Sequence, residues 1–188
     1  MNNTFSESRT LISTIEQDHV FQQKISAAAE KMITALKENK KILWCGNGGS
    51  AADCQHLSAE LVAKLNHIRP AFASISLTTD SSFLTAWIND MNESDELFSR
   101  QVEALGQEGD ILVAISTSGN SGNIIEAVRK ANEIGAHSIV LSGNKGGKLK
   151  GFGDIELIVP SENTQRIQEM HIIIGHILCE EIENAFVK

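Results

Sequence analysis

The side chains most able to do chemistry in this 188-residue chain sit in four short clusters. Gln55-His56-x-x-x-Glu60 spaces an imidazole and a carboxylate four residues apart, which on a helix stacks them on one face. Near the other end, Arg166-Ile-Gln168-Glu169-x-His171-x-x-x-x-His176 sets an amide, a carboxylate and two imidazoles among apolar residues. Groups of these types move protons or hold a divalent metal. The other two clusters are Gly46-Asn47-Gly48-Gly49-Ser50 and Ser116-Thr117-Ser118-Gly119-Asn120-Ser121. Their hydroxyls and unhindered backbone N–H groups can cradle an anion without Lys or Arg.

Each cluster alone also has a plainer reading: a solvated helix pair, an ordinary strand-to-helix turn, a capping-prone loop. The 116–121 segment lacks the Gly-Lys-Ser/Thr ending of a P-loop, so nucleoside triphosphate hydrolysis is not indicated. His171 and His176 are five residues apart, about 140° around a helix, and cannot both face one point. For either one alone, a core histidine with a satisfied ring is the plainer reading. Cys45, Cys54 and Cys179 fall at unrelated spacings inside expected elements and read as reduced thiols without a role.

The elements that must position these groups follow from apolar periodicity. Residues 6–38 carry apolar positions at helical spacing, giving one or two long helices bent near Asp18. Short apolar runs at 42–45, 71–77, 110–115, 137–141 and 155–159 read as strands. Helices are expected after Ser50 as N-cap, at 83–88 closing on Asn89-Asp90, at 92–105, 122–134 and 163–186, with a Gly-Lys loop at 143–148. Strands apolar on both faces that alternate with helices predict an α/β three-layer sandwich, a mainly parallel five-stranded sheet flanked by helices. Both Gly- and Ser-rich loops then fall at the carboxyl ends of strands, over one crevice. Residues 1–188 read as a single domain, with 39–188 as its α/β core. The 1–38 helical leader either covers its own sheet or packs partly on another copy of the chain.

Composition narrows the partners. A net charge of −8 and a pI near 5.2 argue against general affinity for nucleic acid or for an anionic membrane, so attraction to an anionic ligand must be local. No apolar run approaches the roughly 20 residues that cross a bilayer, and MNNTFSESRTL lacks a basic start and an apolar core, so a cytoplasmic location is expected.

In combination, Cys-Gly-Asn-Gly-Gly-Ser (45–50), Gln-His-x-x-x-Glu (55–60), Asn-Asp (89–90), Ser-Thr-Ser-Gly-Asn-Ser (116–121) and the 166–176 motif resemble the phosphoheptose isomerases of the sugar isomerase (SIS) fold over nearly the whole chain. The resemblance implies conversion of sedoheptulose 7-phosphate to D-glycero-D-manno-heptose 7-phosphate, toward the heptose of bacterial surface polysaccharides. It implies that Asn47, Gly48, Gly49, Asn89 and Asp90 hold the sugar and that Ser116, Thr117, Ser118 and Ser121 take the phosphate. His56, Glu60, Gln168 and His176 would bind one zinc per subunit, with Glu60 and His176 also transferring protons and Glu60 and Gln168 also touching substrate. It further implies a cytoplasmic homotetramer with sites at subunit interfaces.

The residue types suit such chemistry. Moving a carbonyl from C2 to C1 needs a base beside the carbonyl, stabilisation of the enediolate oxygen, and an acid at the neighbouring carbon. Zinc would act as a Lewis acid on the two oxygens. A residue that binds metal tightly is a poorer base, which sets the two roles of Glu60 in conflict. Gln168 and His176, eight apart, are separated by about 12 Å along a helix, while metal bonds are about 2 Å. The site is therefore expected at a subunit interface, or the helix is expected to be distorted.

Two stretches depart from the family pattern. Ala63-Lys64-Leu65 replaces a small-Arg-aromatic triplet, exchanging a forked guanidinium for a point charge. Residues 91–96, Met-Asn-Glu-Ser-Asp-Glu, replace a Gly-aromatic continuation. Both touch the substrate rim and leave open an isomerase for sugars of another chain length. The second, with Leu-Thr-Thr-Asp at 77–80, also resembles the initiator-associating SIS proteins, which bind DnaA without catalysis; retention of Glu60 weighs against that alternative.

Overall fold

The computed structural model of the protein describes residues 3–187. Five strands form one parallel sheet: β1 (Ile42–Gly46), β2 (Ser74–Ser76), β3 (Ile111–Ser116), β4 (His137–Gly143) and β5 (Ile155–Val159), in the order β2-β1-β3-β4-β5. Every residue of β1 and β3 is buried, because successive side chains point to opposite faces and both faces are covered. Ile42 and Trp44 enter one apolar cluster with Ile111, Val113 and Ile115, whereas Leu43 and Cys45 enter the other with Leu112 and Ala114.

The first cluster is closed by α1 (Thr4–Gln17), α2 (His19–Lys37), α3 (Gly49–Val62) and α7 (Thr164–Phe186). The second is closed by α4 (Ser81–Met91), α5 (Ser99–Leu105) and α6 (Gly122–Glu133). Trp44 is fully buried yet satisfied, since its indole N–H donates to Ser74 Oγ at 2.9 Å. The leader breaks at Asp18, whose Oδ1 accepts the N–H groups of Val20 and Phe21 and so starts α2. Leu11, Ile15, Phe21, Ile25 and Met32 from the leader are buried in the chain's own core, while Phe5, Ile12 and Val20 stay exposed. Among the described residues, no helix is long and apolar enough to cross a membrane.

Four local expectations are corrected. Helix α3 begins at Gly49 rather than after Ser50; Gly48, at φ 55° and ψ −119°, takes the cap position with a backbone that favours glycine, and Ser50 is buried within the first turn. The expected strand at 71–77 narrows to three residues at a sheet edge, because the Phe72 N–H is drawn to the Leu61 carbonyl instead. Helix α4 runs past Asn89 and Asp90, and Asn92 in the left-handed region (φ 54°) ends it, so 92–105 is helical only from Ser99. The Gly-Lys loop contains a short 3₁₀ turn at Gly147–Leu149.

Candidate active site

Helices α3 and α7 meet where glycine permits a close approach. A Cβ on Gly175 would lie 2.7 Å from Leu57 Cδ2 and closer still to Cδ1, so only a residue without a side chain fits. The neighbours of this contact in sequence are His56 and His176. Their Nε2 atoms face each other at 2.8 Å, with the rings edge-to-face at 5.0 Å between centroids. One helical turn along α3, Glu60 Oε1 lies 3.5 Å from His56 Nε2. One ligating atom from each of the three residues falls within 4.8 Å of the others.

Two imidazole nitrogens at hydrogen-bond distance must share a proton or a cation, since two bare lone pairs would repel. Two nitrogens, one carboxylate oxygen and a side open to solvent match a three-ligand zinc site with a free fourth position. The buried Cys54 and Cys179 are not among the residues whose ligating atoms gather here, and burial raises both thiols.

The structure separates the remaining sequence candidates. Gln168 lies two turns before His176 on a regular α7, its amide against Gly49, where an added Cβ would lie 2.7 Å from Gln168 Cδ. It lines a hollow of about 410 Å³ with Ala52, Asp53, Gln165 and Glu169. His171 is fully buried on another face of α7, with Nε2 3.1 Å from the Ser142 carbonyl oxygen. Its role is in the core, as the angular separation required.

The two anion-cradle loops do converge. Asn47 and Asn123 exchange amide hydrogen bonds of 2.8 and 2.9 Å, tying the loop after β1 to the first turn of α6. Ser116 Oγ and Ser121 Oγ are 3.2 Å apart, and Ser121 caps α6 without spending its hydroxyl on a backbone N–H. That hydroxyl and the α6 terminus remain available to an anion. Ser118 is exposed, Thr117 half-buried, and Gly119 supplies the positive φ (64°) that turns the loop. Asn89 and Asp90 are exposed at the end of α4 and hydrogen-bond each other at 2.8 Å.

Two carboxylates escaped the sequence reading. Asp53, one turn before His56, has its Oδ2 buried without a partner; burial raises its carboxyl, while His56 and His176 pull it down. The i−3 spacing from His56 was its only sequence signal. Asp95 lies against the start of α6, with its Cγ 2.5 Å from where a Gly122 Cβ would stand.

A SIS domain profile matches residues 5–143. The chain is 49% identical over 165 residues to a phosphoheptose isomerase of Helicobacter pylori (strain P12), covering 88% of this chain and 85% of that one. It is 50% identical over 169 residues to a phosphoheptose isomerase of Clostridium acetobutylicum, covering 90% and 86%. The solved structure of phosphoheptose isomerase GmhA from Neisseria gonorrhoeae superimposes with a TM-score of 0.87 at 46% identity, covering 95% of each chain.

Proposed function

The chain belongs to the SIS-domain family of phosphoheptose isomerases, and from that premise we propose that its crevice converts sedoheptulose 7-phosphate to D-glycero-D-manno-heptose 7-phosphate in the route to bacterial surface heptose. It is a phosphosugar aldose–ketose isomerase. The observation that carries this reading is the meeting of His56, Glu60 and His176 beside two loops fit for a sugar phosphate.

The 116–121 loop binds the phosphate through Ser116, Thr117, Ser118 and Ser121, fixing the distance from that end of the sugar to the reacting carbons. Asn47, Gly48, Gly49, Asn89 and Asp90 hold the hydroxyls. Glu60 takes the proton from the carbon beside the carbonyl, and His176 returns one to the neighbouring carbon. Glu60 has two oxygens: Oε1 faces His56 and the other is free for the proton, which eases the conflict between its roles. His56, Glu60 and His176 would hold a divalent ion such as zinc, which when bound supplies Lewis acidity toward the two substrate oxygens.

Because Gln168 and His176 are eight residues apart on a regular α7, about 12 Å along its axis, Gln168 serves the site of a neighbouring copy, in a homotetramer with sites at subunit interfaces. The leader helices, with Phe5 and Val20 exposed, are the surfaces for that packing on a single SIS domain spanning 1–188. A cytoplasmic setting suits three buried, unbridged cysteines. The DnaA-binding alternative gains no support, because relatives at about half identity carry the isomerase name.

The test is to incubate the protein with sedoheptulose 7-phosphate and follow the aldose product, with Glu60→Gln alongside. Turnover by the wild type and its loss in Glu60→Gln is the expected result. No turnover with zinc supplied would overturn the reading.

A further inference from the structure

The loop assigned to phosphate holds no positive charge, in a protein of net charge −8, and the Asp95 carboxylate stands at the start of α6 beside it. A phosphate ester approaching this site meets repulsion unless a cation lies close. The 143–151 segment that follows β4 touches this loop and carries Lys145, Lys148 and Lys150, all exposed.

This segment is locked to the phosphate loop through its backbone. The Lys148 N–H donates to Asn120 Oδ1 at 3.1 Å, and the Leu149 N–H to the Gly119 carbonyl at 2.9 Å. The two loops touch main chain to main chain: a Cβ on Gly147 would lie 2.7 Å from both the carbonyl carbon and the oxygen of Gly119. To make that fit, Asn144, Lys145, Gly146 and Gly147 run consecutively through the left-handed region, at φ 52, 65, 93 and 59°. Glycine or asparagine suits such a backbone; Lys145 keeps a long side chain there against that preference.

The backbone donors at 144, 146, 148, 149 and 150 are spent on bonds within the protein, which leaves a ligand the ammonium groups and the N–H groups of Lys145 and Gly147. Elsewhere Lys41 and Lys130 are paired with Asp110 and Glu133, whereas among the described residues Lys145, Lys148 and Lys150 have no carboxylate within ion-pair distance. The competing acids beside the segment are Glu162, which shares a groove with Lys145, and Glu156, whose Oε1 accepts the Gly151 N–H, while Asp95 stands at α6.

We propose that Lys148, seconded by Lys145, is the cationic component of the phosphate site, drawing the dianionic end of the substrate onto the 116–121 loop and holding it there. The backbone bond from Lys148 to Asn120 places its flexible ammonium stem at the rim of the loop, within reach of a phosphate seated on Ser118 and Ser121. The proposal rests on the phosphosugar reading of that loop.

Two measurements test it. Inorganic phosphate binding by titration calorimetry requires no turnover, and steady-state kinetics with sedoheptulose 7-phosphate do. Lys148→Gln should weaken phosphate and raise KM about fivefold at low salt, with kcat within about twofold, and the difference should close as salt is raised toward about 0.5 M. Lys145→Gln should shift both in the same direction by less. The control is Lys130→Gln, which removes the same charge from a partly exposed pair on α6. Equal shifts in Lys130→Gln and Lys148→Gln, or a loss of kcat at unchanged KM, would overturn the proposal. Phosphate binding weakened in Lys148→Gln in a chain that isomerises no sugar would sustain it while overturning the isomerase reading. Lys145 and Lys148 are exposed and Lys130 is half-buried, so matching melting curves verify the fold.

Discussion

Replacing Gly175 by alanine tests how the site is assembled, because it acts on the helix contact without touching a reacting group. The new Cβ would stand 2.7 Å from Leu57 Cδ2 and 3.1 Å from Cγ, where unstrained carbons approach to about 3.5–4.0 Å. Leu57 is fully buried and cannot swing into solvent, so α3 and α7 must part by roughly 1 Å. Overpacking of this kind costs about 1–3 kcal/mol, offset by about 1 kcal/mol from the better helix propensity of alanine, for a net loss of about 0–2 kcal/mol. The effect on the chemistry is larger. His56 and His176 flank the contact, so their 2.8 Å approach opens by a similar distance, and misplacement of about 1 Å can cost on the order of 100-fold in rate. Calorimetric melting and kcat for heptose phosphate isomerisation, measured on Gly175→Ala and on Gly175→Ala with Leu57→Ala, separate the two effects. The second change removes the clashing atoms and should restore part of kcat even though it empties core volume. Wild-type kcat in Gly175→Ala would refute the claim that this close approach sets the triad.

Two further outcomes follow from buried charge. Burial lowers the His171 ring to about 4, against a weaker opposing pull from its bond to the Ser142 carbonyl, so the folded state resists a proton that the unfolded chain takes up near 6.5. Its contribution to stability is therefore intact above about 6.5 and is lost as pH falls from there toward 4, on the order of 3 kcal/mol in all; urea unfolding from pH 7 to 4 should show that slope, and it should flatten in His171→Gln. Burial alone would raise the Glu183 carboxyl, yet N–H donation from Leu65, Asn66 and His67, together with Arg69, holds it below its usual range. Arg69 also donates to the Glu60 and Leu61 carbonyls at the end of α3, so Arg69→Met should cost about 3–5 kcal/mol in urea unfolding; a loss under about 1 kcal/mol would contradict the role given to this pair.

The sheet was legible because a strand buried on both faces carries an apolar run, as in Ile42–Cys45 of β1, Ile111–Ile115 of β3 and Ile139–Leu141 of β4. The break near Asp18 was legible from the interrupted apolar periodicity, and its role as the cap of α2 came from the structure. Local signals failed where two residues could serve one purpose. Gly48 and Ser50 are both competent caps, and the choice fell to the backbone turn at Gly48. Edge strand β2 is short because its length depends on a partner that the 71–77 run does not name. Within the site, the four-residue spacing marked His56 and Glu60. The choice of His176 over His171 depends on Gly175 meeting Leu57, a tertiary contact. Asp53 and Asp95 were hidden because a single carboxylate announces nothing until its neighbours are known. The lysines after β4 passed as ordinary loop composition for the same reason.

The most direct measurement is turnover of sedoheptulose 7-phosphate in deuterium oxide, followed by proton NMR. The account predicts aldose product carrying solvent deuterium on the carbon beside the new carbonyl, and a loss of about 100-fold or more in rate in Glu60→Gln, since a positioned base contributes on that order. Product formed at an undiminished rate by Glu60→Gln would contradict it.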